Sequence, residues 1–372
     1  MAGTALSLEE LREEVARGAV DTVRVCFTDH YGMLRGRRLV GEVYVEDPEG
    51  VQAFCDGALV WDVHCDIFEE TDYSNFRTGY PDLLAIPDLG SLRRCGWSEG
   101  SAMVLTKVTD PHGERSPLDP RGILGQVVER SGADPVGIRL SLRAGLDPLA
   151  PGWNPEPAPG FADRWRAGIE GSGIAVEQLA YDPASCRATV ELAPLEPVVA
   201  ADAAVVARSS AREIGLVDGI TVTTLGRLTD GAPDELMEIL PAGGFAGTGD
   251  AAARLADLGL LLRPLPLAWP TDGLARDGAV LASASANPYL ATAATLAAAA
   301  GEESGGPPET PGSYDAAADR LEGAGWAVDW LGEIFIHDTL ELARREAGLR
   351  QEACGAAGPA TDWDIARYGE VG

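Results

Sequence analysis

Four histidines and six cysteines are the scarce metal-binding and nucleophilic residues of this chain. Their spacing decides which chemistries stay open. Asp62-Val63-His64-Cys65-Asp66 is the compact group. On an extended strand Asp62, His64 and Asp66 alternate onto one face, the geometry of a metal corner. The competing reading is a polar strand face, favoured by the lack of CxxC or HxH partners. His30 falls at a hairpin tip and His112 in the turn Pro111-His112-Gly113. His337 stands at helical spacing from Trp330 and Leu340, a packing position. Cys26, Cys55, Cys65, Cys95, Cys186 and Cys354 read as reduced and mostly buried thiols. No glycine-rich phosphate cradle and no Ser-His-Asp order occurs.

The elements that must position such residues are legible in part. Ser7 and Glu10 form a capping box that starts a helix. Thr22–Thr28 alternates as a strand, Asp29–Gly32 is a turn, and Leu34–Val40 returns as the second arm of a hairpin. Further strands are expected at Gly57–Asp66, Leu83–Ile86 and Ala102–Val108, closing a small mixed domain near Asp110. Pro120 opens a helix over Gly122–Arg130. Strands follow at Val136–Leu142, Ala188–Leu192 and Gly219–Leu225. Helices are expected at Ala200–Glu213, Ala251–Leu258, Pro288–Ala300, Tyr314–Gly323 and Trp326–Gly348, with a Gly/Pro-rich loop over Glu302–Ser313.

A length of 372 residues allows two domains with real cores. The net charge of -29 repels nucleic acid and anionic membrane, and the acids are spread along the chain rather than gathered in a tail. No window is apolar for long enough to cross a bilayer, and the first ten residues lack the basic start and apolar core of a signal peptide. The expected place is the cytoplasm, with no nucleic-acid and no membrane partner.

Four stretches, in order, carry a family likeness. Val25–Arg37 (VCFTDHYGMLRGR) is the first. The second runs from Cys55-Asp56-Gly57 through Pro81-Asp82 and Pro87-Asp88 to Asp119-Pro120-Arg121. The third is Val199-Ala200-Ala201-Asp202 and its helix. The fourth is Ser285–Ala294 (SANPYLATAA), with Leu331-Gly332 and the closing Thr361–Tyr368 (TDWDIARY). Together they resemble the glutamine synthetase family over nearly the whole chain. The resemblance implies an α+β fold: a small N-terminal β-grasp domain over residues 1–110, then a shortened catalytic α/β domain over 111–372, an antiparallel curved sheet flanked by helices. It also implies rings of six that often stack in pairs.

The family activates a carboxylate with ATP, and an amine attacks the acyl phosphate. Divalent cations held by carboxylates neutralise the phosphate charge. Set against the family's patterns, this chain departs at most ligand positions. Arg139 stands in the stretch matching "gxExEF". In the stretch matching "ExgpgQxE", Asp182 keeps an acid, Arg187 replaces the Gln and Thr189 the last Glu, unless a two-residue slip brings in Glu191. Arg227-Leu228 stands for the Lys-Pro, both histidines of the following pattern are gone from the stretch containing Glu235, and "ExR" falls on Gly278 and Val280. ATP and Mg²⁺ are therefore expected to be lost, with no metal ligands kept. The resemblance leaves Asp182, Glu191, Glu235 and Arg187 as acid–base candidates. Arg139, Arg143, Arg227 and Asp56 are left as substrate-binding candidates. Arg139, Arg143 and Arg187 suit an anionic group such as a carboxylate, or else pair with local acids in an idle cleft.

Three functions follow. The first is a repurposed glutamine synthetase-like protein acting on or binding an amino-acid-like or amine ligand, in actinobacterial specialised metabolism. The second is a non-catalytic subunit that complements or regulates an authentic glutamine synthetase, with Asp56 reaching into the neighbour. The third is an ATP-dependent carboxylate–amine (γ-glutamyl) ligase.

Overall fold

Two β-sheets, each with helices against it, make up the computed structural model. It describes residues 6–146, 156–157, 159–225, 236–267, 273–302, 308–355 and 361–369. The first sheet comprises β1 (Val20–Thr28), β2 (Leu34–Val40), β3 (Gln52–Cys55), β4 (Asp82–Pro87), β5 (Arg93–Arg94) and β6 (Gly100–Thr109). Their order is β2-β1-β6-β4-β3, with β5 on β6. The β1–β6 pair is parallel and its neighbours are antiparallel. The second sheet comprises β7 (Val136–Leu146), β8 (Glu156–Pro157), β9 (Val176–Asp182), β10 (Arg187–Leu195), β11 (Thr221–Thr223), β12 (Leu236–Pro241), β13 (Ala275–Arg276) and β14 (Ala279–Ser283). It runs β13-β14-β12-β7-β10-β9, all antiparallel, with β8 and β11 also on β7.

The helices are α1 (Leu8–Ala16), α2 (Gly41–Glu46), α3 (Pro120–Ser131), α4 (Pro159–Gly171), α5 (Pro197–Asp218), α6 (Gly249–Asp257), α7 (Gly259–Leu262), α8 (Pro288–Ala300), α9 (Tyr314–Gly323), α10 (Gly325–Leu331), α11 (Glu333–Cys354) and α12 (Asp362–Tyr368). None among the described residues is long and apolar enough to cross a membrane.

The alternation of side chains along a strand gives the second sheet its two faces. Ile138, Leu140 and Leu142 of β7, Ala188, Val190 and Leu192 of β10, and Met237 and Ile239 of β12 enter the main core. The intervening residues Arg139, Ser141, Arg143, Thr189, Glu191 and Glu238 form a polar face. The main core also holds Phe27, Leu83 and Met103, so it runs under both sheets. A second cluster, with Leu11, Val15, Val23 and Tyr44, sits under α1 and α2.

Most expected elements are present. The Ser7–Glu10 capping box, Pro120 in the first turn of α3, and α8 and α9 stand where the residues place them. Two departures have clear reasons. Residues 57–66 form no strand: Asp56–Leu59 is a single 3-10 turn and Cys65 is left-handed at φ 64°. Apolar residues there enter the core through a turn, so period-2 reasoning fails. The expected helix over Trp326–Gly348 is two helices, broken at Gly332, whose φ of 95° an L side chain rarely adopts. Strands β9 and β12 and helix α4 have no counterpart in the sequence-based expectation.

Candidate functional site

The centre of the polar face is one row of residues across neighbouring strands. In register, Gln178 of β9 pairs with Glu191 of β10, Glu191 with Arg139 of β7, and Arg139 with Glu238 of β12. Directly opposed side chains on one face lie within reach of each other. Arg139 uses that proximity on both sides. Its Nη1 donates to Glu238 Oε2 at 2.8 Å, and its Nε and Nη2 donate to Glu191 Oε2 at 3.2 and 3.1 Å. Burial works against the guanidinium charge, but the bonds to Glu191 and the charge of Glu238 outweigh it and raise its pKa. The three side chains are 34%, 25% and 20% exposed, so a small ligand can reach them.

The rest of the face continues this polar ladder. Ser141 and Thr189 hydroxyls share a 3.0 Å hydrogen bond. Beyond them Arg187 and Arg143 stand opposite each other, and Arg143 also faces Thr223 of β11. Arg143 is buried and Arg187 half-buried.

The structure thus brings Arg139, Arg143, Arg187 and Glu191 to one sheet face and leaves other candidates apart. Asp182 caps the β9–β10 turn, accepting from Ala184 N and Ser185 Oγ, and these bonds hold its carboxyl below the ordinary range. It stands four residues along the hairpin from the Glu191 row, about 13 Å at 3.3 Å per residue. Asp56 is buried against its own chain, accepting from Ser74 Oγ at 2.5 Å; burial raises its pKa. Arg227 and Glu235 lie outside the described residues. Glu238 was missed by sequence reasoning. No local pattern marks it, and only the β7–β12 register brings it to Arg139.

The metal corner at Asp62, His64 and Asp66 is corrected by the structure. Asp62 accepts from the backbone N–H groups of His64 and Asp66 at 2.9 and 3.0 Å and from Arg345 and Arg367 at 3.1 and 3.0 Å. Burial opposes its charge, yet these donors keep its carboxyl below the ordinary range. Its oxygens are already used by the protein. His337 is also no packing residue: its ring is 41% exposed and Nδ1 lies 3.0 Å from Asp338 Oδ1.

The signature stretches meet in buried clamps. Asp202 accepts from Arg121 Nε and Nη2 at 2.9 and 3.0 Å and from the Tyr289 hydroxyl at 2.6 Å, while Arg121 also pairs with Asp88 at 2.8 Å. Asn287 caps α8 through Tyr289 N and donates to the carbonyls of Asp29 and His30 in the hairpin turn. Arg208 donates to the carbonyls of Tyr31, Gly32, Ala284 and Ala286. Arg367 and Tyr368 both bond Glu346, and Arg350 pairs with Asp364.

With this geometry in hand, the chain can be compared with known proteins. No protein-family model matches it. It is 28% identical over 128 residues to glutamate–isopropylamine ligase of a Pseudomonas species, covering 33% of this chain and 27% of that protein. It is 25% identical over 251 residues to gamma-glutamylethanolamide synthetase of Streptomyces coelicolor, covering 60% of this chain and 54% of that protein. A solved structure described as a novel glutamine synthase homolog superposes with a TM-score of 0.74 at 19% identity, over 95% of this chain and 99% of that one. The chain is similar to proteins of the glutamine synthetase family and shares their fold. It spans 54% or less of the two curated relatives.

The likeness to glutamine synthetases implies divalent cations held by carboxylates. Glu191 and Glu238 offer hard oxygen ligands, but Arg139 fills the space between them with a permanent positive charge. Among the described residues no group of three or more His, Cys, Asp or Glu is placed to hold a metal ion. This donor set does not fit a divalent cation. A paired guanidinium between two carboxylates can instead exchange partners: a ligand carboxylate takes Arg139, or a ligand ammonium takes Glu191 and Glu238.

Proposed function

We propose that this chain binds and acts on an amino-acid-like or amine ligand on the polar face of the second sheet, and that it has lost the ATP- and metal-dependent step. The observation that carries this reading is Arg139 between Glu191 and Glu238. A ligand with both a carboxylate and an ammonium matches that row in charge. The names of the relatives, an isopropylamine ligase and an ethanolamide synthetase, support the same ligand class. The test is phosphate release from ATP and Mg²⁺ with glutamate plus isopropylamine or ethanolamine, beside calorimetric binding of each ligand without ATP. The expected result is ligand binding with no phosphate release. ATP-dependent release with either amine overturns it.

A second reading is favoured by those names: an ATP-dependent γ-glutamyl amine ligase. It requires Arg139 to leave the row during turnover, and the same assay decides it. Self-association into rings and a place in the cytoplasm belong to the proposal as well. A single-chain mass by light scattering contradicts the rings.

A further inference from the structure

A gathering of arginines in this acidic chain lies away from the Arg139 row, in a cavity of about 250 Å³ between the β1–β2 hairpin and α5. Arg24, Arg35, Arg37, Arg38, Arg208 and Arg212 line it, and Glu213 is the acid among the lining residues. The whole chain has 58 acids to 29 bases, so this gathering runs against composition. It is smaller than the roughly 300–1,000 Å³ of drug-sized ligand sites, which limits the occupant to a small molecule.

Its charges are only partly matched. Arg208 is held by four carbonyls and Arg35 by Asp29 at 2.7 Å. Arg24 is buried and donates to Glu213 at 2.5 Å and Ser98 at 3.0 Å. Glu213 also accepts from Trp97 Nε1 at 2.9 Å, so its two oxygens are taken. The Arg24 Nε is left buried without a partner. Arg38 stands directly opposite Arg24 in the β1–β2 register and makes no ion pair among the described residues. Like charges directly opposed across strands are destabilising. Next to this pair Gly36 opposes Cys26, and a Cβ at Gly36 meets Val25 O at 2.0 Å. The backbones of β1 and β2 therefore approach too closely there for any side chain but glycine's. Arg212 Nη1 reaches Met33 Sδ at 3.0 Å on the cavity's wall.

We propose that this cavity is a binding site for a small dianion, a phosphate or a dicarboxylate, seated against Arg24, Arg38 and Arg212. The site does not depend on the reading of the Arg139 row. A dianion satisfies the orphaned Arg24 nitrogen and relieves the Arg24–Arg38 repulsion. Charge-assisted hydrogen bonds of this kind are the strong ones.

The test is calorimetric titration of inorganic phosphate and, separately, of succinate into the full chain at low ionic strength. Saturable binding of either supports the site, and the tighter of the two names the ligand source. Arg38→Ala, at an exposed position, is expected to weaken binding about tenfold, the worth of one charged hydrogen bond. Arg212→Ala is expected to do the same. Arg17→Ala, a surface arginine elsewhere, is expected to bind like the wild type. Absence of saturable binding for both anions overturns the proposal. So does an equal loss in Arg17→Ala, which marks a general charge effect. A change of oligomeric state in Arg38→Glu without anion binding overturns it in favour of a protein contact.

Discussion

Arg139 determines what the polar face can do. A metal between Glu191 and Glu238 would need the space that its guanidinium fills. Arg139→Ala leaves two carboxylates facing across β7, and the row becomes an acidic pair open to hard cations. The variant is expected to gain Mn²⁺ binding by calorimetry where the wild type shows none. Stability falls by only about 1 kcal/mol, because the three side chains are partly exposed and screened. An unchanged Mn²⁺ response in the variant means the row does not work as described. The arginine was legible in the sequence, and so was Glu191, through a two-residue slip. Glu238 was not, because strand register between residues 99 apart leaves no local trace.

At the scale of elements, the stretches that carry the family likeness are structural glue. Asp202, Arg121, Tyr289 and Asp88 join α5, α3, α8 and the end of β4 in one buried cluster. Asp202→Ala strands Arg121 and Tyr289 in the core, and urea denaturation is expected to show a loss of about 3–5 kcal/mol. A loss under 1 kcal/mol contradicts the clamp. Helix α3 carries a pH signature. Its N-cap Asp119 is buried, and burial pushes its pKa up to about 6 from 3.8. The folded chain then binds this proton at a pH where the unfolded chain does not. Stability from this group therefore rises as pH falls through 6, and the gain is complete near pH 4. The stability of the wild type relative to Asp119→Asn is expected to increase between pH 7 and 5. A flat difference in urea midpoints shows that Asp119 does not titrate there. Helices with caps and prolines were readable, as α3, α8 and α9 show. The turn over Asp56–Leu59 and the break at Gly332 were not, because core contacts there override local periodicity.

At the scale of the molecule, charge is unevenly spread. A chain of net charge -29 concentrates arginines between its hairpin and α5. The wild type is therefore expected to melt at higher temperature in phosphate than in an equal ionic strength of chloride. Arg38→Glu should abolish that difference, and its persistence contradicts a localised site. The two-sheet architecture was legible from four separated stretches. Their residues meet only after folding, which is why each looked weak alone.

The measurement that tests the central claim most directly is calorimetric titration of ATP with Mg²⁺ into the purified chain. The account predicts no saturable binding in the micromolar range, with Arg139 holding the place between Glu191 and Glu238. Saturable micromolar binding would contradict it and would place the ligase chemistry named for its relatives on this chain.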